Sequence, residues 1–193
     1  MGYATLSEIK DYLGISSSAD DGLLGDMLER AQGIIEAATG RVFEAASNTT
    51  RSFDALADVV GGVLYLDEDL AAVTTITNGD EGATTISSNQ YVTEPRNQTP
   101  YYAIRLLDSS NLSWQFTDDP EDAISISGKW AYSESAPADI VQATLRLAAF
   151  LYRQKESNAD VDRTMQLADG SIVLPSGLPR DVLAIIYRYK RAG

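Results

Sequence analysis

The chain has 193 residues, 44% of them hydrophobic and 22% charged, a composition typical of a soluble protein with one globular domain or a domain carrying an insertion. It contains no cysteine and no histidine, which excludes disulfides, sulfur-ligated metals and the usual histidine-based catalysis, and fits folding in a reducing cytoplasm. No apolar run approaches the roughly 20 residues that cross a membrane, and no secretory signal is expected at Met1–Thr5.

The net charge of −13 is unevenly distributed along the sequence. Residues 1–136 contain 7 Lys/Arg and 22 Asp/Glu, or −15, whereas residues 137–193 contain 8 and 6, or +2. An acidic surface disfavours binding to nucleic acid and to anionic membranes. The simpler interpretation is solubility. A second interpretation, an acidic wall that DNA slides past, requires a channel.

The first predicted element is a short helix near the start of the chain. Thr5 and Glu8 have the spacing of a capping box, in which each residue satisfies a free amide of the other. Gly14 is placed to end this helix in the left-handed conformation.

A longer helix is predicted at about 21–39, with Asp20 or Asp21 as its N-terminal cap and Gly40 at its end. Its apolar residues recur at helical period and form a single stripe. The stripe consists of Leu23, Leu24, Met27, Leu28, Ala31, Ile34, Ile35 and Ala38.

Between about Arg51 and Ser133, short β-branched runs separated by turn residues replace the helical period. Six or seven short strands at near-regular spacing predict an antiparallel sandwich or a small barrel. Asn78-Gly79 is interpreted as a hairpin turn. The predicted strands are Val63–Leu66, Val73–Thr77, Thr84–Ser87, Tyr91–Thr93, Tyr102–Leu107, Trp114–Thr117 and Ile124–Tyr132.

A second long helix is predicted at about 138–155, opened by Pro137. Beside its main apolar stripe it carries a second apolar line, formed by Ala143, Leu147 and Phe150. A helix that is apolar over most of its circumference must be buried on more than one face. Either it forms the centre of a small bundle, or these three residues contact another subunit.

The last part of the chain combines a long connection with a final helix. The predicted connection at 156–177 is typical of a binding loop or a mobile segment. Leu178-Pro179 opens the helix, whose end is aromatic and basic, a composition enriched at protein interfaces. The alternative is a helix end folded onto the core. The residues concerned are Tyr187, Arg188, Tyr189, Lys190 and Arg191.

Candidate chemical sites are few. The acidic runs Asp67–Asp69 and Asp118–Asp122 offer oxygen ligands for calcium but lack the spacing of an EF-hand loop, so solvated turns are the simpler interpretation. Trp114 and Trp130 could stack on bases or sugars, although aromatic residues in strand runs usually belong to the core. The sequence therefore assigns no catalytic, cofactor-binding or metal-binding residue.

Three stretches of sequence, taken in order, resemble the head-to-tail connector (adaptor) proteins of tailed bacteriophages and gene transfer particles. Each stretch consists only of caps, turns and packing residues, and the resemblance depends on their order and spacing. The first stretch is Asp20–Leu24 with Ile35–Phe43, the second is Ile124–Tyr132 with Pro137–Arg153, and the third is Leu178–Val182 with the closing helix.

The resemblance implies an α+β fold, in which a small helical bundle carries an inserted antiparallel β-sandwich or barrel-like region. The expected parts are an N-terminal helical part at 1–45, a β-rich insertion at 46–135, and C-terminal helices at 136–193 that complete the bundle.

The resemblance further implies a structural protein of the virion neck, without catalytic residues, cofactor or membrane. Copies assembled in the host cytoplasm would form a ring, typically of twelve subunits, between the portal and the next neck or tail protein. Double-stranded DNA would pass through this ring without specific binding.

A ring subunit needs two different interface patches on one chain. The second apolar line of the helix at 138–155 is one candidate subunit interface, and the basic, aromatic final helix is a candidate for docking onto the portal. Two other functions stay open at this point. They are a monomeric acidic β-sandwich that binds a partner, with calcium as a candidate ligand, and a carboxylate-based hydrolase.

Overall fold

A computed structural model describes residues 2–156, 165–166, 172–173 and 177–191. The chain divides into two compact units. The helical unit comprises residues 1–40 and 137–193, and the β unit comprises residues 41–136. The predicted α+β class is confirmed, since helices and antiparallel sheets are both present and the two larger sheets lie in one continuous stretch of the chain.

Four helices form the described part of the helical unit, and two of them, α2 and α3, each pack against the other three. The apolar surface of α3 is therefore covered mostly within the bundle, as the first interpretation predicted. No helix in the described ranges is long and apolar enough to span a membrane. The helices are α1 (Leu6–Leu13), α2 (Asp21–Thr39), α3 (Ala138–Glu156) and α4 (Arg180–Tyr189).

Helix α1 begins and ends as its sequence predicts. The amide of Glu8 donates to Oγ1 of Thr5 at 3.3 Å, and the amide of Thr5 donates to Oε2 of Glu8 at 2.7 Å, so the capping box is confirmed. The Thr5 amide, and then the Thr5 hydroxyl, lower the pKa of the Glu8 carboxyl. Gly14 ends the helix at φ +71°.

Helix α2 begins after Asp20, but the predicted side-chain cap does not form. The carboxylate of Asp20 instead accepts a hydrogen bond from the Tyr152 hydroxyl at 3.1 Å, so it ties α3 to the start of α2. Gly40 ends the helix at φ +67°, as expected. The buried face consists of Leu24, Met27, Leu28, Ala31, Ile35 and Thr39.

Helix α3 is buried around most of its circumference because it lies between the other helices. Pro137 directly precedes the helix, and its carbonyl accepts from the Val141 amide at 3.0 Å. Thr144 is tolerated in the interior because its hydroxyl donates to the Ile140 carbonyl at 2.9 Å. The buried positions are Ile140, Ala143, Thr144, Leu145, Leu147, Ala148, Ala149 and Tyr152.

Two four-stranded antiparallel sheets form the β unit, with strand orders β1-β8-β4-β5 and β2-β3-β7-β6. Alternation along each strand points one row of apolar side chains inward. Both sheets contribute to one buried cluster that includes Phe53, Ile76 and Ile126 from the first and Leu64, Ile104 and Leu106 from the second. The strands are β1 (Thr49–Phe53), β2 (Val59–Val60), β3 (Val63–Leu70), β4 (Ala72–Asn78), β5 (Thr84–Ile86), β6 (Tyr91–Glu94), β7 (Tyr101–Leu106) and β8 (Ile124–Lys129).

The predicted strand at Trp114–Thr117 is wrong: these residues lie in a loop. Backbone amides in this stretch donate to side chains at the end of β4 and not to a neighbouring strand. The sequence pattern is that of a strand, but Asn78 and Asp80 supply the hydrogen bonds that a sheet would otherwise provide.

Most of the predicted connection at 156–177 lies outside the described residues. Within it, β9 (Met165–Gln166) pairs antiparallel with β10 (Ile172–Val173).

Candidate interaction surfaces

The three residues predicted as a subunit interface on α3 have different environments. Ala143 is 1% exposed and Leu147 is fully buried within the single chain. The chain therefore covers both residues itself, and the argument from uncovered apolar surface does not hold for them. Phe150 is half-buried and lines a groove, so it is the one member of the set that a second molecule can reach.

Phe150 lies in a cavity of about 300 Å³ on the helical unit, which we call the arginine groove. Ala149, Phe150, Leu178 and Pro179 supply its apolar surface. Three arginines, from α3 and from the first residue of α4, surround that surface. The groove is lined by Tyr12, Arg146, Ala149, Phe150, Arg153, Gly177, Leu178, Pro179 and Arg180.

The arginine groove is positively charged although the chain is acidic overall. Arg146 forms an ion pair with Asp181, and hydrogen bonds to Tyr12 and then Asp181 raise the pKa of its guanidinium. Arg153 and Arg180 are exposed, and neither forms an ion pair within the described part of the chain. Two exposed guanidinium groups thus flank the apolar surface of the groove.

The five residues predicted to dock onto the portal divide into two groups. The Tyr189 hydroxyl lies 2.8 and 3.0 Å from the two carboxylate oxygens of Asp139, and the Arg191 amide donates to the Thr39 carbonyl at 2.9 Å. The interpretation of a helix end folded onto the core therefore holds for these two residues, while the other three face outward.

The outward-facing group consists of Tyr187, Arg188 and Lys190. Tyr187 is 72% exposed, the largest exposure among the exposed large hydrophobic residues of the described chain. Arg188 is also exposed, with its guanidinium 5.8 Å from the centre of the Tyr189 ring and 3.5 Å from an oxygen of Asp139. These contacts hold a basic, aromatic surface in place without covering it.

The acidic run Asp67–Asp69 lies inside β3, not in the solvated turn that the sequence suggested. Asp69 is buried and forms an ion pair of 2.5 Å with Arg41, and Asp67 forms one of 2.6 Å with Arg51. In the described residues no three acidic side chains converge on a position suited to a metal ion.

The second acidic run belongs to a segment that we call the acidic loop, Phe116–Asp122. Its four carboxylates are exposed and form no ion pair among the residues that the structure describes. Phe116 is 39% exposed at the start of the loop. The loop therefore presents an aromatic ring followed by four negative charges, which are Asp118, Asp119, Glu121 and Asp122.

Asn78, which the sequence assigned only to a hairpin turn, and Asp80, to which it assigned no role, position the acidic loop. Buried Asn78 donates to the Ser113 carbonyl at 2.9 Å and accepts from the Gln115 amide at 3.1 Å. Asp80 accepts from the three consecutive amides of residues 117–119 at 2.6–2.8 Å. The signal available in the sequence was an Asn-Gly-Asp at a strand end, since such side chains bind backbone amides readily.

The bonds to Asp80 also affect its charge. The amides of Asp119 and Asp118 are the main contributors, and they hold the pKa of the Asp80 carboxyl far below its usual value. A carboxylate that accepts several backbone amides is stabilised in its ionised form. Asp80 is thus a fixed negative charge that anchors the loop.

Both tryptophans are structural. Trp130 is 7% exposed and donates from Nε1 to the Thr49 carbonyl at 3.0 Å. Trp114 is half-buried against the sandwich core and donates to the Gly62 carbonyl at 3.1 Å. These contacts favour core packing over stacking on bases or sugars.

Comparison with solved structures finds a similar fold in gene transfer agent (GTA) particles. A chain in the "Neck of empty GTA particle computed with C6 symmetry" matches with a TM-score of 0.58 and 20% identity, covering 97% of this chain and 89% of that one. A chain in the "Virion of native gene transfer agent (GTA) particle" matches with the same values. At this identity the likeness concerns the fold alone. No curated protein sequence matches the chain.

A family model, described as phage gp6-like head-tail connector protein, matches residues 3–101, just over half of the chain. The matched range contains the first of the three stretches that carried the resemblance. Head-tail connectors are structural proteins, so the match confirms the expectation of a non-enzymatic protein and removes the hydrolase alternative. The chain belongs to the phage gp6-like head-tail connector protein family.

Proposed function

We propose that the protein is a structural component of the neck of a tailed phage or gene transfer particle, where copies form a ring that joins the portal to the tail. The observation that carries the proposal is the connector family match at residues 3–101. A fold similar to that of a chain in the neck of a GTA particle, over 97% of this chain, supports it.

The proposed ring contains twelve subunits and surrounds the channel through which double-stranded DNA leaves the capsid. The C6 symmetry used for the neck of the GTA particle is compatible with a ring of that size. The β unit carries 5 Lys/Arg and 15 Asp/Glu, and 5 − 15 = −10. A surface of this charge repels phosphates and so disfavours specific binding of the DNA. Subunits would be assembled in the host cytoplasm before they join the virion.

The end of α4 is the proposed contact with the portal. Tyr187, Arg188 and Lys190 are exposed, while Tyr189 and Arg191 fix the helix end to the rest of the bundle. Aromatic and arginine side chains on a rigid support are typical of the residues that dominate protein interfaces. In this proposal the first three residues contact the portal and the other two position them.

A pull-down with the portal protein encoded beside this chain tests the contact. The triple variant Tyr187→Ala, Arg188→Ala, Lys190→Ala is expected to weaken portal binding at least about tenfold, because it removes the three side chains of the proposed contact. All three side chains are exposed, so the variant should fold normally. Deletion of residues 178–193 is less informative, since it also removes buried Val182 and Ile186. Tyr102→Ala, at a 52% exposed tyrosine of the β unit, is the control and should bind normally.

Assembly tests the function as a whole. Particles made without the protein should yield heads and tails that do not join, and the protein added to portals should form rings visible by negative-stain microscopy. Heads that join tails without it would contradict the proposal. A monomer whose melting temperature rises with calcium would favour the monomeric binding module instead.

A further inference from the structure

We propose that the acidic loop of one copy binds in the arginine groove of the next copy, as the repeated contact around the ring. This inference rests on the proposed ring and adds the two surfaces that meet. The groove belongs to the helical unit and the acidic loop to the β unit, so each copy carries one of each.

The two surfaces are complementary in chemistry. The groove offers an apolar surface that includes Phe150 and Leu178, flanked by the exposed guanidinium groups of Arg153 and Arg180. The acidic loop offers the exposed ring of Phe116 followed by four exposed carboxylates, which form no ion pair with any described residue. Arginine and carboxylate form two parallel hydrogen bonds, which gives direction as well as attraction. An aromatic ring on the apolar surface would exclude water from those bonds.

The acidic loop is held in shape before any partner arrives. Asp80 fixes the amides of residues 117–119, the Ala55 amide donates to the Pro120 carbonyl at 2.8 Å, and the Gly79 amide donates to the Ala123 carbonyl at 2.8 Å. A fixed loop loses little conformational entropy when it binds. All of these bonds use backbone atoms of the loop, so its carboxylates remain available for a partner.

A contact between two different surfaces is heterologous, and such contacts propagate from copy to copy until they close into a ring. Two equivalent patches facing each other would instead stop at a dimer. The groove and the acidic loop are two different surfaces on one chain, as a ring requires.

Charge reversal on each surface tests the contact in the full-length protein. The loop variant is Asp118→Lys with Asp122→Lys, and the groove variant is Arg153→Glu with Arg180→Glu. All four side chains are exposed, so neither variant should affect folding. Each variant places like charges across the interface and should weaken self-association at least about tenfold by analytical ultracentrifugation, alone and on the portal.

The matched control is Asp26→Lys with Glu29→Lys on the exposed face of α2. It makes the same change in net charge as the loop variant, at residues that belong to neither surface, and should assemble like the wild type. A general effect of net charge would weaken the control and the loop variant equally, and would count against the proposal.

Mixing the two variants gives the sharpest result. The positive loop of one matches the negative groove of the other, and the reverse pairing restores the original contact, so an equimolar mixture should recover rings of alternating subunits. A mixture in which both variants stay unassembled would overturn the proposal, because only a contact between these two surfaces predicts recovery.

A disulfide trap provides an independent measurement, because the chain contains no cysteine. Asp119→Cys combined with Arg153→Cys should give a ladder of linked oligomers on oxidation, and each single variant should stop at dimers.

Failure of the inference and failure of the proposed function give different results. If the wild type forms rings on the portal and both charge-reversed variants do so as well, the ring stands and this contact is wrong. If the wild type never assembles, with or without the portal, both are wrong.

Discussion

The buried side chain of Asn78 anchors backbone that is not in a sheet or helix. Asn78 satisfies one carbonyl and one amide of the loop that follows β7, and in the described residues no buried side-chain nitrogen or oxygen lacks a partner. An unsatisfied buried group costs about 1–3 kcal/mol, which is why such residues determine loop shape as firmly as apolar packing does.

Asp80→Asn should release the acidic loop. The carboxamide can accept fewer amide hydrogen bonds than the carboxylate, so we expect the amides of residues 117–119 to exchange with solvent faster in the variant. Hydrogen exchange followed by mass spectrometry measures this. Glu81→Gln, at the exposed neighbouring position, is the control and should leave exchange unchanged.

The same carboxyl predicts a pH dependence. Its pKa in the folded protein lies below the unfolded value of about 3.9, so its contribution to stability is present above that value and is lost as the pH falls through the lower folded pKa. The wild-type loop should therefore keep its amide chemical shifts at mildly acidic pH. Loss of those shifts at about pH 5 would contradict the role given to Asp80.

At the scale of elements, one glycine lets two strands approach closely. A Cβ at Gly128 in β8 would overlap the carbonyl oxygen of Ala72 and lie 3.0 Å from Cδ1 of Leu70. The pairing of β8 with β4 shifts register at this point, between Val73 and Thr75.

Gly128→Ala should destabilise the sandwich by about 1–3 kcal/mol or more, because the overlapping atom is backbone and cannot rotate away. Urea unfolding measures the change. Gly33→Ala in α2, where a Cβ meets only open space, is the control and should gain up to about 1 kcal/mol. A stable Gly128→Ala protein would mean that the two strands can separate without cost.

The sequence predicts elements better than it predicts what they contact. The helices and every predicted strand except Trp114–Thr117 are confirmed, because caps and apolar period are local properties. The short edge strands β1 and β2 were missed, since β1 is mostly polar and β2 has two residues. The arginine groove joins residues from α1, α3 and the start of α4, so no local pattern contains it.

At the scale of the whole molecule, the sandwich has a core of its own and ends that meet. The Tyr132 amide donates to the Val42 carbonyl at 2.8 Å, Glu44 forms a parallel bridge with Ser133, and the Ala136 amide donates to Glu44 at 2.9 Å. The buried cluster of both sheets lies entirely within residues 41–136. An insertion with these properties can be removed without opening its core.

The excised β unit, residues 41–136, is therefore expected to fold alone and to unfold cooperatively in urea, with dispersed amide resonances. A fragment of residues 54–136 is the matched comparison. It lacks β1, which pairs with β8 at five positions from Thr49 to Phe53, and so it exposes an unpaired strand next to the core. We expect that fragment to be unfolded or aggregated. If residues 41–136 also failed to fold, the stability of the sandwich would depend on the helical unit, and the two units would not be independent folding domains.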